Sequence, residues 1–168
     1  MRDKFVIFNG VSCECYLNRM RNYALRDLKD EAKKMRTGLK KFSEVIEEVH
    51  EKNKIEPLEF LYEEIKKIDK KDVAIFYLKF TGNDELLETF PDSIKPLKLP
   101  IIKKEGEIVF VLKKNKIDIN LKLKKYLKNL QEVSEALKIK VEKHNKDLLE
   151  RLKKKGERLY EKISLRGW

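Results

Sequence analysis

Lysine and arginine are the side chains of this chain whose spacing best fits a chemical task, and that task is holding phosphate. Residues 121–168 carry 15 basic and 7 acidic side chains, a net +8, while residues 1–120 carry 25 and 22, a net +3. Two clusters account for the imbalance. Lys122, Lys124, Lys125 and Lys128 make the first; Lys153, Lys154, Lys155, Arg158, Lys162 and Arg166 make the second. Cations at this density neutralise a phosphate backbone through charge alone, with Tyr160 and Trp168 available to stack on bases. The plainer reading of the second cluster is that cations near a helix C-terminus complement its partial negative charge. Glu142 and Lys146, Asp147 and Arg151, and Glu150 and Lys154 also stand at the i to i+4 spacing of ion pairs on a solvated face.

The function expected from these residues is non-enzymatic nucleic-acid binding, to DNA or RNA, by contact of a basic carboxy-terminal helix with backbone phosphates and without sequence readout. The residues expected to carry it are Lys122, Lys125, Lys128, Lys153, Lys154, Lys155, Arg158, Lys162, Arg166 and Trp168. No RRM, zinc-finger or helix-turn-helix signature names the nucleic acid. The competing class is a coiled-coil assembly or chaperone-like module that leaves part of an apolar seam open for a protein partner.

Other chemistry is poorly supported. Cys13-Glu14-Cys15 could offer two thiolates to zinc, with His50 and His144 completing the set. If the first and last helices pair antiparallel, residue 50 falls near 123 and residue 144 near 29, which parts the histidines by roughly 30 Å. Neither a metal site nor a Cys–His nucleophile is then expected. The six glycines stand singly, so no phosphate-cradling loop exists. Asp92, Glu105 and Glu107 resemble in outline the acids of metal-dependent nucleases. Glu107 is followed by Ile108 and Val109, without the lysine those sites need, so a nuclease stays a remote alternative. No cofactor is expected.

The elements that position these groups follow from periodicity. Apolar residues at Leu123, Leu127, Leu130, Val133, Leu137, Val141, Leu148 and Leu152, continuing to Ile163, predict one helix over 120–163 capped by Asn120. A second long helix is predicted from about Cys15 to Lys52 with Gly38 inside it, and a shorter third one over 58–68. Phe5–Phe8 reads as an outlying strand and Val73–Phe80 as a central one. Glu105-Gly106 reads as a hairpin turn, and Ile117–Ile119 as a last short strand. The expected fold is α+β: a long antiparallel, coiled-coil-like helical hairpin, a shorter helix, and a small antiparallel sheet between the arms. As a single domain of 1–168, it has its helical arm at 15–68 and 120–163 and its β part at 72–119 with strand 5–8. The seams could instead pair between two chains as a homodimer.

Composition limits the electrostatic reading. The chain is 41% charged, rich in Lys and Glu, with one glutamine, a pattern of hot environments in which Lys is the default surface residue. A net +11 is therefore weaker evidence for a polyanion partner than it would be elsewhere. No run of 18 apolar residues predicts a membrane span, and the first residues lack a signal peptide's apolar region. A cytoplasmic setting with reduced thiols is expected.

Overall fold

The computed structural model describes residues 5–94, 99–114 and 118–165, a mixture of helix and sheet. In chain order the strands are β1 (Phe5–Ile7), β2 (Val11–Ser12), β3 (Glu59–Phe60), β4 (Lys66–Asp69), β5 (Val73–Thr81), β6 (Thr89–Phe90), β7 (Leu99–Lys104) and β8 (Glu107–Lys113). The helices are α1 (Cys13–Arg36), α2 (Phe42–Asn53) and α3 (Ile119–Leu165). They form two units, Met1–Glu14 with Glu56–Lys140 and Cys15–Ile55 with Val141–Trp168.

In the first unit β5 sits inside a six-stranded sheet of order β1-β7-β8-β5-β3, with β4 also paired to β5. Every pairing in this sheet is antiparallel; a separate parallel pair joins β2 to β6. Ala74, Phe76, Leu78 and Phe80 are buried while the residues between them are at least partly exposed, the period of a pleated strand. Phe110 of β8 stacks on Phe76 at 5.2 Å and on Tyr126 of α3 at 4.6 Å. Leu130, Val133 and Leu137, further along α3, are fully buried. Each such side chain contributes about 1.5–3 kcal/mol. The β7–β8 turn falls at Glu105-Gly106, as the sequence predicts, with Lys104 paired to Glu107.

The second unit holds most of α1, all of α2 and the last part of α3. Ala24, Leu28, Ala32 and Met35 of α1 pack with Val45, Ile46 and Val49 of α2 and Leu148 and Leu152 of α3. α2 and α3 run in opposite senses: Phe42 meets Tyr160 at 5.9 Å, and His50 Nε2 lies 3.1 Å from the Asn145 carbonyl oxygen. Between these contacts α2 approaches so closely that a Cβ on Gly156 would stand 2.6 Å from Ile46 Cδ1. The Asn145 amide donates to the Ile55 carbonyl at 2.8 Å and accepts from the Ile55 N–H at 3.0 Å, fixing the chain where it leaves α2.

The uninterrupted helix predicted over 120–163 is present as α3, but the other helical expectations change. The single helix over 15–52 is two helices, because Gly38 takes φ +70° and closes α1 with a Schellman motif. Its N–H donates to the Met35 carbonyl at 3.1 Å and that of Leu39 to the Lys34 carbonyl at 3.1 Å. The helix expected over 58–68 is absent. Leu58 and Phe60 bury in alternation, and β3 and β4 satisfy the backbone groups along β5 that a helix there would leave unpaired. Apart from β1, the strands of this sheet therefore begin at residue 59 rather than 72.

Ile119, expected in a strand, is the first residue of α3; Ile117 lies outside the described residues. Asp118, not Asn120, caps α3, its carboxylate accepting from the Asn120 N–H at 2.8 Å. The antiparallel partner of α3 is α2 and not α1, so no hairpin of two long helices forms. His50 lies against Asn145, next in sequence to His144, instead of some 30 Å from it.

Two glycines with positive φ separate conformation from crowding. Gly38→Ala has open space around its Cβ and should cost about 1–2 kcal/mol for the left-handed backbone alone. Gly82, at φ +90°, would place a Cβ 1.9 Å from the Pro57 carbonyl oxygen, so Gly82→Ala should cost about 3 kcal/mol or more. Urea unfolding of both variants checks this; equal losses would show that the Pro57 contact can relax.

Candidate nucleic-acid interface

The buried stripe of α3 sets where its cations point. With Leu148, Leu152 and Gly156 facing the core of the second unit, helical rotation places Arg151, Lys154, Lys155, Arg158 and Lys162 within an arc of about 100° on another side. Lys154, Arg158 and Lys162 are exposed and follow one another at steps of about one turn; Lys155 is half-buried, its stem along the core edge. Among the described residues no carboxylate forms an ion pair with any of these five. The expected pairs Glu142–Lys146, Asp147–Arg151 and Glu150–Lys154 do not form. Among the described residues the i to i+4 ion pair of α3 is Lys128–Glu132, at 3.8 Å. Exposed pairs of this kind gain little over solvation, so the side chains stay in water.

Lys155 also has neighbours on α1. With Asn22, Leu25, Arg26 and Lys29 it lines a groove of about 270 Å³ between the two helices. Arg21 of α1 acts on His144 and Arg26 and Lys29 sit by Lys155, so α1 and α3 run in the same sense. Arg19, Arg26, Lys29, Lys33 and Arg36 recur along α1 at steps of seven, three, four and three, a basic stripe beside the groove. Lys33 is paired with Asp30 at 3.1 Å; Arg26 and Lys29 have no carboxylate partner among the described residues. The sequence reading missed this wall. Its signal lies in the period of the basic residues of α1, which runs beside the apolar one.

The remaining expected contacts divide. Lys153 faces α2, lining a hollow of about 140 Å³ with Phe42, Ser43, Ile46, Glu47 and Glu157, away from the row. Lys122, Lys125 and Lys128 belong to the other unit; Lys122 is half-buried and Lys128 is the partner of Glu132. Arg166 and Trp168 lie outside the described residues. Tyr160 is half-exposed, its ring tilted against Phe42.

His144 lies on the α1-facing side of α3, buried, with no hydrogen-bond partner for Nε2 among the described residues. Burial, with Arg21 and Arg151 nearby, pushes its pKa down to about 4, against a smaller opposing effect of Asp147. The ring is neutral at pH 7 and adds no charge to the row.

Several of the residues considered for metal chemistry are buried or paired. Cys13 is buried, and burial pushes its thiol up to about 11; Cys15 is exposed. Asp92 pairs with Lys140 at 2.6 Å and accepts from the Glu14 N–H, and Glu107 pairs with Lys104 at 3.8 Å. Among the described residues no three His, Cys, Asp or Glu side chains are grouped to hold a metal ion. No protein-family model matches the chain, and no curated protein or solved structure is significantly similar to it.

The histidine generates a pH dependence of known sign. An unfolded chain protonates His144 near pH 6.5, the fold resists until about pH 4, and stability falls as pH drops between the two. His144→Leu should remove this component, so that lowering pH from 7 to 4.5 costs the variant about 2 kcal/mol less than the parent in urea unfolding. Parallel losses in both proteins would show that the ring is not held neutral.

Proposed function

We propose that this chain is a non-enzymatic nucleic-acid-binding protein that grips DNA or RNA by its phosphates along the last part of α3. The observation that carries the reading is the row Arg151, Lys154, Lys155, Arg158 and Lys162, turned to one side and without carboxylate partners among the described residues. The charge is concentrated with it: the unit of Cys15–Ile55 and Val141–Trp168 has 20 basic and 12 acidic side chains, a net +8, against +3 for the rest. Each phosphate neutralised releases counterions, which supplies affinity without sequence readout. Lys122 and Lys125 are further candidate contacts in the other unit, and Cys13 and Cys15 as reduced thiols fit a cytoplasmic setting.

The competing reading needs an open apolar seam. Leu130, Val133, Leu137, Val141, Leu148 and Leu152 are all at most 1% exposed, which favours the phosphate-binding reading over capture of a partner helix along that stripe. No described helix is long and apolar enough to cross a membrane.

Fluorescence anisotropy with labelled duplex and single-stranded DNA and RNA, at two salt concentrations, tests the proposal. Binding should weaken steeply with salt. The triple variant Lys154→Gln, Arg158→Gln, Lys162→Gln should bind more weakly and lower the log–log salt slope by about 2–3. No binding of any of these nucleic acids at low salt would end the reading.

A further inference from the structure

We infer that the ligand of this interface is a single strand, laid in the groove between α1 and α3 with a base stacked on Tyr23; this rests on the nucleic-acid reading above. The groove is basic on both walls, with Arg26 and Lys29 on one side and Lys155 on the other. A hollow of about 270 Å³ between α1 and α3 takes a phosphodiester with part of its sugar. A duplex is too wide to enter and would rest on the rims.

Tyr23 supplies what a duplex could not use. Tyr23 stands three residues before Arg26, which lines the groove, and the residue is 46% exposed. The Arg26 guanidinium lies 5.9 Å from the ring centroid. Arg26 therefore reaches the ring and the groove together: it holds the tyrosine face in place and offers charge to the phosphate of the nucleotide whose base covers that face. Bases paired inside a duplex cannot present a face to Tyr23, whereas unpaired bases of either sugar type can.

The test is anisotropy titration of the full chain with single-stranded DNA, single-stranded RNA and a duplex of equal length. Tyr23→Leu keeps every charge and removes the π face; Tyr23→Phe keeps the face. The expected result is tighter binding of one or both single strands than of duplex, weakened about tenfold by Tyr23→Leu, retained by Tyr23→Phe, with duplex binding unchanged. The two single-stranded arms show which sugar is preferred. Duplex binding as tight as single-strand binding, or an equal effect of Tyr23→Leu on both, would overturn this inference and leave phosphate binding standing. Failure of all three ligands to bind would remove both.

Discussion

Burial of one stripe of α3 is the constraint on which the rest depends. In the first unit the stripe lies on the sheet through Tyr126 and buries Leu130, Val133 and Leu137. In the second it fills the helical core through Leu148 and Leu152. Because neighbouring residues on a helix are turned by about 100°, fixing the apolar stripe also fixes the direction of every polar side chain. The cations of α3 are aimed by leucines. A shift of one residue in the packed face would turn Lys154 and Arg158 away from the side they now share, without any change in composition.

How much of this was legible in the sequence depended on whether a signal was local. α3 was legible because a 3.6-residue period persisted over more than 40 residues, and β5 because apolar residues occupied both of its faces. By propensity Gly38 is only a weak point inside a helix, whereas its left-handed conformation makes it a stop. Leu58, Leu61, Ile65 and Ile68 satisfied a helical spacing; pairing with β5, distant in sequence for β3, decided otherwise.

The site divides along the same line. Lys154, Lys155, Arg158 and Lys162 were visible as a cluster, because a cluster on one helix needs no tertiary knowledge. Lys153 could be set apart only once the position of α2 was known. Arg26 and Lys29 become neighbours of Lys155 only when α1 lies beside α3 in the same sense, an orientation opposite to the hairpin expected from seam matching. Apolar seams by themselves do not distinguish parallel from antiparallel neighbours. The loop that reverses the chain after Gly38 does, because it makes α2 the helix that runs against both others.

The missing side chain at Gly156 bears on how uniquely α2 is seated. Ile46 and Phe42 press into the space a Cβ would fill, and sliding α2 by one turn along α3 would set that ridge on Leu152 or Tyr160, where no such notch exists. A residue that lowers the intrinsic helicity of α3 thus serves as an alignment mark: it leaves α2 one place to dock and excludes the slipped arrangements that a plain leucine seam would tolerate.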